Sequence, residues 1–201
     1  DDSALAYLHG LCHAMAGAPA EAAEAFEAAL ELDPDNGGTA LLLGRALRRS
    51  GRSADAARVT AELVRRHAGN SGLLNEVAAD LLEDGDEPAA ASLLEQALSI
   101  APDDPGVLHN MGVACARLGS LERAEAMLRQ ALERQPAGSP ASDASRAALA
   151  GVLATRGFAE DALEIAQALI AEGREPVHAW TVMGTVAARR RRSGEAAAAF
   201  L

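Results

Sequence analysis

Histidine and cysteine residues near the amino terminus have a spacing that metal binding could use. His9 and His13 are four residues apart, so in a helix they share one face and could ligate one ion. No third ligand is nearby in sequence, and Cys12 and Cys115 are the only cysteines, which excludes a disulfide scaffold. We expect both histidines to be partly buried structural residues and both cysteines to be small core residues. Because phosphate-cradling glycine loops and nucleophile elbows are also absent, we predict no active site and no cofactor for this chain.

A second chemical feature is an arginine cluster in the sequence GRALRRSGRS, residues 44–53. Arg45, Arg48 and Arg49 have i, i+3 and i+4 spacing, which puts them on one face of a helix. The chain as a whole has a formal net charge of −11, which argues against general nucleic-acid binding. The arginine stripe is therefore either a solvated face or a surface for an acidic segment of a partner.

The composition favours closely packed helices. Apolar residues make up 49% of the 201 residues, but aromatic residues only 2%, and much of the apolar content is alanine, the strongest helix former. No apolar stretch is long enough to span a membrane, and no signal peptide is visible. We expect an all-α protein in the reducing cytoplasm, without membrane partners.

Small residues recur along the chain with a period of 34 residues. Four series share this period, and three of them continue through one four-residue slip, so the chain consists of repeated pairs of helices. Glycines of one series end the first helix of each pair, and small residues of two others let helices approach closely. The series are Ala22, Ala56, Ala90, Ala124, Ala162 and Ala196; Gly17, Gly51, Gly85, Gly119 and Gly157; Gly10, Gly44, Ala78, Gly112, Ala150 and Gly184; and Pro34, Ala68, Pro102 and Pro136.

The pattern resembles the tetratricopeptide repeat (TPR). In the first repeat, Gly10, Ala22, Phe26, Ala29 and Pro34 occupy the family's small, alanine, aromatic, alanine and proline positions. The resemblance implies a right-handed α-solenoid of antiparallel helix pairs, a TPR superhelix, with Trp180 in its core. It divides one domain, 1–201, into the repeats 3–36, 37–70, 71–104, 105–138, 143–176 and a truncated 177–201.

Three places depart from the regular repeat. The slip is expected to be a short inserted turn at 139–142. Arg191 stands where the last repeat should have its turn glycine, and the sequence ends at Leu201, inside that repeat's second helix. Since solenoids need a polar cap, we expect a further domain after Leu201. The arginine run in 188–194 is either a solvated helix end or a contact for anionic groups or that domain.

The resemblance also implies that the first helix of each repeat lines a groove that binds polypeptides. The predicted groove is apolar in the first repeat, basic in the second, polar in the centre and lined by small residues in the fifth, which leaves room for an amphipathic helix or an extended peptide. The candidate groove residues are Tyr7, Leu11, Leu41, Arg45, Arg48, Arg49, Asn75, Glu76, Ala79, His109, Asn110, Val113, Arg117, Ala148, Gly151, Thr181, Thr185 and Arg189.

We therefore expect a noncatalytic module that captures a protein or peptide, such as a flagellin-like segment, and recruits it to a downstream catalytic domain. A protein glycosyltransferase is favoured, by analogy with bacterial enzymes that carry TPR arms. The alternatives are a standalone assembly scaffold and a structural protein that forms homodimers through its uncapped end at Phe200 and Leu201. If the arginine stripe binds the partner, charge reversal at Arg45 and Arg49 is expected to weaken binding without unfolding the protein.

Overall fold

The computed structural model describes residues 2–174 and 176–199, and every regular element in these ranges is an α-helix. This confirms the predicted all-α solenoid. The chain forms two compact units, an N-terminal unit (1–84) and a C-terminal unit (85–201). The helices are α1 (Asp2–Met15), α2 (Pro19–Leu32), α3 (Gly37–Arg49), α4 (Ser53–Arg66), α5 (Ser71–Asp84), α6 (Glu87–Ile100), α7 (Pro105–Arg117), α8 (Leu121–Arg134), α9 (Pro140–Arg156), α10 (Ala159–Ala171) and α11 (Pro176–Ala199).

The turns that follow five of the first helices depend on glycine. At these turns the backbone φ lies in the left-handed region, which glycine adopts without steric cost and other residues adopt rarely. The repeated glycine of the sequence thus ends these five first helices and reverses the chain into the second helix of each pair. The residues are Gly17, Gly51, Gly85, Gly119 and Gly157, with φ from 74° to 96°.

The core of the N-terminal unit is built around Phe26 of α2. Its ring is buried against Ala22, Leu43 and Leu47, and Tyr7 of α1 packs against this cluster with its ring centroid 6.1 Å from that of Phe26. A Cβ at the position of Gly10 would collide with the Phe26 ring, which explains why this position must be small.

The core of the C-terminal unit uses leucine where the N-terminal unit uses the phenylalanine ring. Leu128 of α8 is fully buried and lies over Gly112 of α7, where a Cβ would be only 2.6 Å from Leu128 Cγ. The same repeat position thus permits close helix contact in both units.

The sequence slip does not form a separate turn. Ser139 caps α9 by accepting a hydrogen bond from Ser142 N, and Pro140 stands in the first turn of the helix. Proline is favoured there because its missing N–H has no intrahelical partner anyway. The inserted residues therefore extend α9 at its amino end, which corrects the predicted turn at 139–142.

The last repeat also differs from the prediction, because α11 is one continuous helix through Arg191. Glycine ends the other first helices, whereas arginine, which rarely adopts a positive φ, continues this one. The described chain therefore folds no second helix back over Trp180, which is 59% exposed rather than buried in the core. Phe200 and Leu201, the predicted dimer contact, lie outside the described residues.

The predicted burial of chemically active side chains is wrong for three of four residues. His9, Cys12 and His13 are exposed, and only Cys115 is buried. Ala46, at the repeat position of Cys12, is buried between α3 and its neighbours, whereas α1 packs chiefly against α2. The exposure of His9, Cys12 and His13 therefore depends on the neighbours of α1 and not on residue type. No helix in the described residues combines the length and apolarity needed to cross a bilayer.

Candidate functional site

The predicted groove residues fall on two sets of first helices, α1, α3 and α5 in the N-terminal unit and α7, α9 and α11 in the C-terminal unit. Each unit has an open cleft of about 330 Å³ on this side. The charged face of the N-terminal unit consists of Arg45, Arg48, Arg49, Asp80, Glu83 and Asp84. The small-residue face of the C-terminal unit consists of Val113, Ala116, Arg117, Leu121, Leu128, Ala148, Gly151, Val152 and Thr155.

The charged face is organised around Asp80 of α5, which is 6% exposed. Arg45 Nε lies 2.8 Å from both carboxylate oxygens of Asp80, and Arg48 Nη2 lies 2.8 Å from Oδ2. Arg48 also places its Nε 2.6 Å from Asp84 Oδ2. Two arginines of α3 thus neutralise one buried carboxylate and tie α3 to α5.

The electrostatics of Arg45 agree with a structural role. Its hydrogen bond to Asp80 raises the pKa of Arg45 above its ordinary value, and the charges of Asp80, Glu76 and Glu83 act in the same direction. Removing Arg45 would leave Asp80 short of a partner in a nearly dry site, which is costly. Charge reversal at Arg45 is therefore expected to destabilise the protein. The sequence-based prediction that charge reversal weakens binding without unfolding is kept only for Arg49, which is exposed.

The sequence prediction missed Asp80, although a signal was present. It occupies the tenth position of the third repeat, where every other repeat has a small or apolar residue. A single carboxylate at a position that is otherwise apolar calls for a buried cationic partner. The equivalent residues are Cys12, Ala46, Ala114, Val152 and Val186.

The small-residue face forms a cleft with apolar walls. Gly151 of α9 has no atom within 4 Å of the position of a Cβ, so its side of the cleft is open. The Thr155 hydroxyl donates to the Gly151 carbonyl at 2.9 Å and is therefore satisfied within its own helix. Arg117 is exposed at this cleft, with Nη1 3.8 Å from a carboxylate oxygen of Glu87. The cleft thus combines an apolar wall with one cationic side chain.

His109 connects α7 to α9 beside this face. Its Nδ1 lies 2.9 Å from the hydroxyl oxygen of Ser145, which is fully buried. Burial lowers the pKa of His109 below its usual value, because a charged imidazolium would lose hydration there. His109 is therefore mainly a neutral linking residue, and Asn110, the next residue, is half-buried.

The polar groups predicted on α11 are also bonded to backbone. The hydroxyls of Thr181 and Thr185 donate to the carbonyls four residues earlier, at 2.8 and 2.9 Å. Arg189 donates to the carbonyls of Ala154 and Thr155 near the end of α9, at 2.8 and 2.6 Å. A cation at a helix carboxyl end complements the helix dipole, so Arg189 stabilises α9.

The remaining candidates divide by burial. Leu41 is 6% exposed and belongs to the core, so it is not available to a partner. Glu76 is exposed on α5. The half-buried candidates of the N-terminal unit are Tyr7, Leu11, Asn75 and Ala79, of which Tyr7 and Leu11 pack on the Phe26 cluster.

The described residues contain no group of three or more His, Cys, Asp or Glu side chains that could hold a metal ion. His9 and His13 thus have no third ligand of these types near them in this part of the molecule. The two faces consist of ion pairs, apolar side chains and satisfied hydroxyls, which is chemistry suited to recognition.

The chain belongs to the tetratricopeptide repeat family. The family profile described as tetratricopeptide repeat matches residues 13–76 and 81–139, which is more than half of the chain. Domains of this family are generally noncatalytic, and the chain is accordingly a protein-interaction module. No curated protein sequence matches it.

Several solved structures have the same fold. A thermophilic TPR protein from Thermus thermophilus is 23% identical, with 92% of this chain and 98% of that chain covered and a TM-score of 0.65. MamA from Desulfovibrio magneticus RS-1 is 18% identical, with 92% and 95% covered and a TM-score of 0.63. Yeast Tom70 is 17% identical, with 96% of this chain but 40% of that chain covered and a TM-score of 0.73. At these identities the likeness establishes the fold alone.

Proposed function

We propose that this chain binds a polypeptide through the small-residue face of α7 and α9, with the charged face of α3 and α5 as a second contact region. The observation that carries the proposal is the open apolar cleft of about 330 Å³ between two successive first helices. Family membership supports a protein as the partner.

The lining of the cleft favours apolar side chains of the partner. Val113 and Val152 supply apolar surface, while Ala148 and Gly151 leave the space that larger residues would fill. Burying apolar area contributes about 25 cal/mol per Å², so a bulky side chain placed here would gain affinity without a special polar contact. An amphipathic helix or an extended segment with such a side chain fits this description.

Substitution Gly151→Phe tests this proposal. The new side chain would project into the cleft without meeting an atom near its Cβ, and replacing a helical glycine should not reduce helix stability. Peptides selected from a phage-displayed random 12-residue library on the wild-type chain should bind G151F about tenfold more weakly or not at all, as measured by calorimetry.

The matched control is Ala126→Phe, which adds the same ring at an exposed position of α8 outside the cleft. Its affinity for the selected peptides should equal that of the wild type, and both variants should retain a helical circular dichroism spectrum. Unchanged binding by G151F would refute the assignment of the cleft. The absence of any selectable peptide would refute polypeptide binding itself.

The narrower proposal is that the captured polypeptide is a protein substrate, such as a flagellin-like segment, delivered to a protein glycosyltransferase. It is supported by analogy with TPR arms of such enzymes. In the complete natural gene product, G151F should reduce glycosyl transfer to the protein acceptor while leaving hydrolysis of the sugar donor unchanged. A product that glycosylates no protein would favour the alternatives, an assembly scaffold or a self-associating structural protein.

A further inference from the structure

The charged face contains two exposed charges that form no ion pair with other described residues, although the charge of Glu83 acts on Arg45. Arg45 and Arg48 are held by Asp80 and Asp84, as described above. Arg49 and Glu83 line the same cleft, are both exposed, and make no hydrogen bond or ion pair within the described parts of the chain. They are therefore also more than 4 Å apart, beyond the ion-pair limit.

The repeat register explains why these two residues are neighbours. Each occupies the thirteenth position of its repeat, Arg49 on α3 and Glu83 on α5, within about one helical turn of the residues that tie the two helices together. The Asp80 network ties α3 to α5, so Arg49 and Glu83 extend from two helices that are held together.

We infer that Arg49 and Glu83 select the polypeptide partner by its charges. Arg49 pairs with an acidic side chain of the partner, and Glu83 pairs with a basic one. Arg45 and Arg48 are positioning residues, because Arg45 Nε and the Nε and Nη2 of Arg48 are held by Asp80 and Asp84. A purely acidic segment is disfavoured, since it would meet the carboxylates that share the cleft, and a purely basic segment would meet the arginines. This inference rests on the proposed function and names the chemistry of its partner.

Charge reversal of each residue tests the inference. Phage-displayed random 12-residue peptides are selected on the wild-type chain, and their affinities are measured by calorimetry for wild type, Arg49→Glu, Glu83→Arg and the double variant R49E/E83R. Selected peptides should carry both an acidic and a basic residue. Each single reversal should weaken binding about three- to tenfold, the range expected when an exposed pair changes from attraction to repulsion.

The decisive comparison uses the double variant R49E/E83R and peptides with exchanged charges. A synthetic copy of each peptide with its acidic and basic residues exchanged should bind R49E/E83R about as tightly as the original peptide binds the wild type, and should bind the wild type more weakly. Controls are Arg58→Glu on α4, which also breaks a local ion pair with Asp55, and Glu24→Arg on α2; both change charge at exposed positions outside the cleft. Both controls should leave the affinities unchanged.

The outcomes separate this inference from the proposed function. Peptides that lose affinity for G151F but not for R49E or E83R would overturn the inference and leave the proposed function standing. Selected peptides without paired charges, or exchanged peptides that gain nothing on R49E/E83R, would also overturn it. If no peptide binds the wild type, the proposed function and the inference are both refuted.

Discussion

The charged face of the N-terminal unit and the small-residue face of the C-terminal unit use the same repeat positions for different chemistry. On α5, the tenth repeat position is Asp80, which is buried and needs two arginines from α3. On α9 the same position is Val152, which needs no partner and forms part of an apolar cleft wall. One substitution in the register therefore decides whether this position needs cationic partners from the preceding first helix.

A second contrast concerns how the faces satisfy their polar groups. The charged face joins helices through side-chain ion pairs, whereas the small-residue face turns a threonine hydroxyl back onto a backbone carbonyl, as Thr155 does to Gly151. The threonine positions of this unit are therefore less polar than their residue type implies. Residue composition alone is a poor guide to the polarity of a face in this fold.

The largest expected effect comes from removing both arginines that hold Asp80. In R45A/R48A the buried carboxylate of Asp80 loses its ion partners, so the free energy of unfolding should fall by about 3 kcal/mol. Urea denaturation followed by circular dichroism measures this loss.

Removal of the carboxylate as well provides the control. The triple variant with Asp80→Ala restores the residue type found at Ala46 and Ala114 and should recover at least half of the lost stability. A double variant within about 1 kcal/mol of the wild type, the range of exposed ion pairs, would show that the network does not stabilise the N-terminal unit.

A smaller effect distinguishes the helix contacts of the second and fourth repeats. Gly112→Ala places a Cβ 2.6 Å from Leu128 Cγ and should lower the free energy of unfolding by about 1–2 kcal/mol through overpacking. At Gly44, the equivalent position, a Cβ would lie 3.4 Å from Thr60 Oγ1, which is an ordinary contact distance. Gly44→Ala should therefore be neutral or stabilising by up to about 1 kcal/mol, because alanine favours the helix. Equal effects in thermal denaturation of the two variants would contradict the difference in packing.

The smallest effect is a pH dependence located in the C-terminal unit. Burial holds the pKa of His109 below its ordinary value, so the folded state favours the neutral ring. This contribution to stability is complete above the unfolded pKa of about 6.5 and is lost as the pH falls from there towards the lower folded pKa. The free energy of unfolding should thus decrease between about pH 7 and about pH 5, and less so in His109→Asn. Parallel pH profiles for the variant and the wild type would exclude this role of His109.

The sequence predicted the parts of the fold that depend on local chemistry. Turn glycines such as Gly51 and small contact residues such as Gly112 mark each helix pair because backbone conformation and close approach demand them at a fixed spacing. The exposure of Cys12 was not predictable from its residue type, because burial at that position comes from neighbouring helices. The ion pairs of Asp80 were missed because their partners are more than thirty residues away, although the break in the register was visible.

The exposed position of Trp180 has a practical consequence for spectroscopy. The chain has a single tryptophan, in the C-terminal unit, and a single tyrosine, Tyr7, in the N-terminal unit. An indole that is already 59% exposed should emit much as it does in water, so unfolding should shift its fluorescence little, whereas a partner that covers α11 should shift it to shorter wavelength. Tyr7, packed on the Phe26 ring, should instead change its near-ultraviolet absorbance when the N-terminal unit opens. Each unit thus carries its own optical reporter without any label.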